Sequence, residues 1–139
     1  MQPVLGQALK LEITSGPTDW TGWPAVLVHR GYNLIPDGHG HLLLGATVEP
    51  GERSEPEPLH LMRHLDDSAP EWLRNAKVLD HWSGLRARPV ERPAPLLERL
   101  EPGLLLATGH YRNGVLLTPA TAEWVEQTLK KSVSSSTCS

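Results

Sequence analysis

The residues best equipped for chemistry stand together in GHYRNGVLL, residues 109–117. His110, Tyr111, Arg112 and Asn113 lie between Gly109 and Gly114, directly before a segment that reads as a helix start. A turn at a helix N-terminus points backbone N–H groups outward with partial positive charge, which suits a phosphate, a carboxylate or the electron-rich edge of a ring. The glycines let the backbone approach such a group closely, and Arg112 adds a full charge. A plain turn between a strand and a helix would accommodate the same residues, and composition does not choose between the two. The second candidate is Arg86, which closes the run HWSGLR after Gly84. An arginine at a strand end can hold a carboxylate through two parallel hydrogen bonds, which lysine cannot reproduce. The alternative is an ordinary surface ion pair with one of the many Glu residues.

Seven histidines offer two further pairs. His39 and His41 sit in GHGH, a turn sequence where exposed His is unremarkable. His60 and His64 have the four-residue spacing of a zinc-binding helix pair, but HLMRH lacks the Glu of that chemistry. No third ligand is evident for His60 and His64. Solvated positions are the favoured reading, and no metal is assigned.

The elements that must carry these residues follow from pattern. Residues 4–13 alternate loosely as a strand, and 16–24 are turn chemistry with two Trp. Residues 25–36 and 40–49 are β-rich runs around DGHG, which predicts an antiparallel hairpin turning at Asp37–Gly40. After the polar connection 50–58, Pro58 suits the first turn of a helix with Leu59, Met62 and Leu65 on one face. Residues 69–76 read as a short helix, 77–89 as a long strand and 103–110 as a buried strand. A Pro-rich bridge, 86–103, overlaps the end of the first of these strands and leads to the second. Thr118 can cap the last helix with Pro119 at its first position, and Lys130 and Lys131 suit its C-terminal dipole. The fold class is α+β with an antiparallel or mixed sheet.

Bulk composition narrows the function. Sixteen acidic and 13 basic residues are interspersed, for a net charge of −3, which is poor support for nucleic-acid binding. No apolar run reaches the roughly 18 residues of a membrane span, and the N-terminus lacks a secretory apolar region. The single Cys138 excludes an internal disulfide framework, and a reducing cytoplasm fits best. With 12 Gly, 13 Pro and no Phe in 139 residues, the apolar area available for burial is limited, so stability as a free-standing domain should be marginal.

WSGLRARP, followed about twenty residues later by LLLATGHYRNGVLLTPATAEWV, resembles the C-terminal part of the glycine oxidase family, within the D-amino-acid-oxidase group of FAD-dependent amine oxidases. YNLIPDGHGHLLLGATVEPG is similar to that family's substrate-domain hairpin, and PVLGQALKL to the strand on which its chain enters that domain. The resemblance spans roughly residues 3–131. It implies residues 1–81 as a substrate-domain portion and 82–131 as the return segment of a Rossmann-like FAD-binding domain, while the polar terminal residues 132–139 read as a disordered tail.

The resemblance also implies roles. Arg86 and Arg112 would bind the substrate carboxylate. His110, Tyr111, Arg112, Asn113, Gly114, Val115 and Leu116 would line the FAD isoalloxazine, with backbone N–H groups and the helix dipole beside its N1–C2=O edge. Negative charge grows there as hydride arrives from the Cα of a neutral amine, so preorganised donors favour reduction without a side-chain base. The activity implied is oxidation of glycine or a similar small amine to an imine with peroxide formation, linked to thiazole synthesis for thiamine.

Two departures qualify the resemblance. Asn33 stands where the family commonly has an aromatic, with Tyr32 one step earlier and facing the other side of the strand. The G-x-G-x-x-G turn that cradles the FAD pyrophosphate is absent from the 139 residues, so the chain reads as beginning within a longer fold. The competing expectation is therefore a non-catalytic substrate-domain module, or a truncated product, that requires a separate FAD-domain chain.

Overall fold

The computed structural model describes residues 1–16 and 20–136, with side chains described through 131. The chain divides into two compact units, Val4–Leu85 and Met1–Pro3 with Arg86–Ser139.

The first unit is built on alternation. Strand β1 (Gln2–Glu12) is antiparallel to β4 (His41–Gly45), which is antiparallel to β3 (Tyr32–Pro36), which is antiparallel to β2 (Leu27–His29). The two-residue strand β5 (Glu49–Pro50) pairs β1 at Leu5↔Glu49, and β6 (Lys77–Arg88) also pairs β1. The register places Leu9, Leu44 and Leu34 on one rung of adjacent strands, with Leu11 opposite Leu42 on the next. All five are buried.

Two helices cover that face. Helix α1 (Pro56–His64) begins with Pro56 at its first position, two residues before the expected Pro58, and ends on Leu65 in left-handed conformation. Helix α2 (Glu71–Arg74) follows. Met62, Leu65 and Leu73 join the sheet leucines in one core, with Leu59 packed against it. Arg63 ties the helices together by donating to the carbonyls of Leu73, Arg74 and Ala76. Trp20, Trp23 and Trp72 form an edge-to-face cluster at 4.7–6.4 Å between ring centroids. The remainder of the expected turn, residues 17–19, lies outside the described residues.

The hairpin turning at residues 37–40 is present as expected. The run 25–36, however, is itself a hairpin. Arg30 and Gly31, at φ +49° and +83°, form a two-residue turn between β2 and β3, the conformation that best follows strand twist.

The second unit departs further from expectation. The Pro-rich bridge contains β7 (Leu96–Glu101), antiparallel to β8 (Leu104–Thr108) around Pro102–Gly103, with a register irregularity between Arg99 and Glu101. Strand β8 is not buried as its apolar run suggests: Leu104 is exposed and Leu105 and Leu106 are half-buried. Helix α3 (Gly114–Ser136) starts earlier than Thr118. Leu117 N–H donates to the Asn113 carbonyl, so the helical ladder is already running when Thr118 and Pro119 are reached. The Thr118 hydroxyl donates back to the Gly114 carbonyl at 2.6 Å instead of capping. At the other end α3 passes Lys130 and Lys131 and continues to Ser136, so residues 132–136 are helical where a disordered tail was expected. Residues 137–139 lie outside the described residues.

Candidate active site

Every residue singled out for substrate or cofactor contact falls in the second unit. Arg86 is half-buried near the end of β6, and Arg88 is exposed two residues on. Strand periodicity puts both on one face of β6. The turn 109–114 leaves β8 through Gly109, whose φ of +70° favours glycine. A Cβ there would come within 2.9 Å of Pro89 Cγ, so only glycine lets the end of β6 pack this closely on the turn. Tyr111 takes φ +55°, a left-handed conformation uncommon for a non-glycine residue. Its ring centroid lies 5.7 Å from the Arg88 guanidinium carbon.

His110 is held rather than displayed, with Nε2 2.8 Å from Thr121 Oγ1 on α3. Arg112 and Asn113 are exposed. Asn113 N–H donates to the His110 carbonyl at 3.0 Å, closing the turn, and its own carbonyl accepts the first helical bond of α3. Asn113 is thus the N-cap, and Gly114, Val115 and Leu116 are the residues whose N–H groups have no acceptor within the helix. Val115 and Leu116 are 94 % and 77 % exposed, an apolar pair presented outward beside polar donors. Sequence reasoning missed Arg88. Its signal was the alternation in Arg86–Ala87–Arg88, which repeats a cation on one strand face.

The first unit carries a different polar constellation. Gln7, Thr47 and Glu49 are buried together. The Gln7 amide donates to Glu49 Oε1 at 2.9 Å and to the Glu55 carbonyl at 3.0 Å. Burial opposes the charge on Glu49, but donation from the Thr47 hydroxyl, the Glu55 N–H and Gln7 outweighs it and lowers the carboxyl below its ordinary range. Because the Gln7 amide nitrogen is committed, Gln7 Oε1 accepts from His81 Nε2 at 2.8 Å. This network ties the connection between β4 and α1 to β1 and β6.

Of the histidine pairs, His41 Nδ1 lies 3.0 Å from Asp37 Oδ2 and His39 Nδ1 3.0 Å from the Asp37 carbonyl. His60 and His64 stack at 4.1 Å. Among the described residues no group of three His, Cys, Asp or Glu converges as a metal site, and no helix is long and apolar enough to cross a membrane. Tyr32 lies against the core with its hydroxyl donating to Asp66, so Asn33 occupies the opposite face of β3.

A strand-end arginine, a tight glycine-bearing turn and a helix N-terminus with an exposed apolar start thus lie within one unit. The family model for FAD-dependent oxidoreductases (DAO) matches residues 1–128, and the chain belongs to that family. It is 33 % identical over 131 residues to a glycine oxidase of Pseudomonas putida, covering 88 % of this chain and 33 % of that protein. It is 31 % identical over 128 residues to the bifunctional protein ThiO/ThiG of Synechocystis, covering 86 % of this chain and 19 % of that one. The crystal structure of glycine oxidase from Geobacillus kaustophilus superposes with a TM-score of 0.74 at 29 % identity, over 93 % of this chain and 35 % of that one. The chain spans about one third of the length of the curated glycine oxidases it matches.

Proposed function

We propose that this chain supplies the substrate-domain portion and the flavin-facing return segment of an FAD-dependent oxidase acting on glycine or a similar small amine. The observation that carries the reading is the 109–114 turn, which joins the Arg86-bearing strand end, exposed Arg112 and the start of α3 within one unit. The donor set fits one part of FAD. Three helix-start N–H groups suit the electron-rich pyrimidine edge of the ring, and exposed Val115 and Leu116 suit its apolar face. It does not fit the pyrophosphate, because the chain has no G-x-G-x-x-G turn.

In this reading Arg86 holds the substrate carboxylate bidentately and Arg112 contributes to the same end, orienting the amine-bearing carbon. Bound FAD supplies the two-electron acceptor that takes the amine to the imine and passes the electrons to dioxygen as peroxide. The helix-start donors place fixed positive potential where negative charge develops, so no side-chain base is required of this chain. Likeness to ThiO/ThiG supports delivery of the imine to thiazole synthesis for thiamine. The lone Cys138 is consistent with a reducing cytoplasm.

A dependent role for the chain has its own support. Strand β8 has only β7 as a sheet neighbour among the described residues, and Leu100, Leu104, Val115, Leu116 and Leu129 in the same unit are exposed. Such a segment reads as part of a Rossmann-like FAD domain whose other strands come from a partner or from a longer chain. The test is flavin retention. The 139-residue chain alone should leave gel filtration without flavin absorbance, whereas joining it to a family FAD-binding portion should yield stoichiometric flavin and peroxide from glycine. Stoichiometric flavin on the chain alone would contradict dependence, and a flavin-loaded fusion inert toward glycine and other small amines would contradict the oxidase reading.

A further inference from the structure

The strand end that carries Arg86 and the turn that carries Arg112 are joined by a contact involving neither residue. The Arg88 guanidinium stands 5.7 Å from the Tyr111 ring centroid, within the range in which a cation is attracted to an aromatic face. Tyr111 holds φ +55° immediately before Arg112. On the strand side of the turn, buried Pro89 fills the space against Gly109 that a Cβ would need. On the helix side, His110 is tied to Thr121. The turn is therefore gripped from both ends, and Arg88 supplies a charged group to that grip.

We propose that Arg88 is a positioning residue: by holding the Tyr111 ring it keeps that residue left-handed, and so fixes the direction in which Arg112 leaves the turn relative to the strand face bearing Arg86. Were Tyr111 to relax to an ordinary helical or extended φ, its ring would swing away from Arg88 and the following peptide would reorient. The clasp is a property of the turn itself. Its use rests on the carboxylate-binding reading of Arg86 and Arg112 given above, and the two can fail separately.

The Asn113 N–H→His110 carbonyl bond spans Tyr111, so the Asn113 amide reports whether the turn is closed. Hydrogen exchange by NMR on the 139-residue chain should show the Asn113 amide exchanging about two- to five-fold faster in Arg88→Gln, as expected for loss of an exposed cation–aromatic contact. Arg88→Lys should recover part of the protection, because it keeps a cation over the ring, and the Leu11 and Leu42 amides should not change. Unchanged exchange at Asn113, or equal loss in the Lys and Gln variants, would overturn the clasp.

Acetate, a minimal carboxylate, separates the second question. Its titration should move the Nε–H resonances of both Arg86 and Arg112 in the parent chain, with the Arg112 response weakened at least about two-fold relative to Arg86 in Arg88→Gln. Equal responses in the parent and Arg88→Gln would overturn the positioning role. If neither arginine responds in the parent while Asn113 exchange still accelerates in the variant, the clasp stands and the carboxylate reading falls.

Discussion

The two units divide the work unequally. Val4–Leu85 owns a closed core, in which Leu9, Leu11, Leu34, Leu42, Leu44, Met62 and Leu73 pack between a sheet and two helices. Arg86–Ser139 owns the candidate site, yet among its residues with described burial only Pro89 and Gly109 are buried. One unit is held by area removed from water; the other is held by local contacts around a turn. Sparse burial leaves Val115 and Leu116 at the start of α3 accessible. It also makes the geometry there depend on a few specific contacts rather than on a core.

The difference is tested first where the effect is largest. Leu42 is fully buried at the centre of the first core, so Leu42→Ala should destabilise that unit by about 2–5 kcal/mol, through lost transfer energy plus the cavity left behind. Urea unfolding followed by the tryptophan cluster measures it, since Trp20 and Trp72 pack against that core. A change below about 1 kcal/mol would mean that the core is not the source of stability.

The next effect is a matter of pH. Partial burial works against the charge on Asp37, but bonds from the His39 N–H, His41 and Lys10 outweigh it and hold the carboxyl at about 2, below its ordinary 3.8. A carboxyl lowered in the folded state stabilises it above the unfolded value and loses that contribution as pH falls through the folded one. The hairpin turn should therefore weaken between pH 3.8 and about 2. Asp37→Asn should cost roughly 1–2 kcal/mol at neutral pH and remove its share of that acid dependence. A variant with the parent's acid profile would contradict the assignment.

The smallest effect belongs to the second unit. Leu116 is 77 % exposed, so Leu116→Asn should change stability by less than about 0.5 kcal/mol. In a flavin-loaded fusion the same change should weaken cofactor retention, which marks the residue as a contact surface rather than core. A loss of several kcal/mol from Leu116→Asn would instead show that the second unit buries this position.

These regions also differed in how far the sequence disclosed them. Period-2 alternation in β1 and β4 and the Leu59–Met62–Leu65 spacing were readable because burial imposes them. Gly31 marked the β2–β3 turn, but the β-rich run around it concealed the break. Strand β7 was hidden because LLERLE alternates poorly and lies among prolines, and its pairing with β8 is not written locally. The Thr118–Pro119 signal gave way because Asn113 caps α3 one turn earlier, and propensity does not choose between successive starts. Arg86 and the 109–114 turn stood out by residue type. Arg88 did not, because its role appears only when a strand end and a turn meet.

The most direct test of the central claim is a paired substitution in a flavin-loaded fusion that carries this chain. Arg86→Lys keeps the charge and loses the two-pronged geometry, so kcat/KM for glycine should fall by about ten- to a hundred-fold, with part of the loss in kcat. A small amine without a carboxylate, which never used that geometry, should be oxidised at nearly the parent rate. Equal losses on both substrates would show that Arg86 supports the fold rather than the substrate, and would contradict the account.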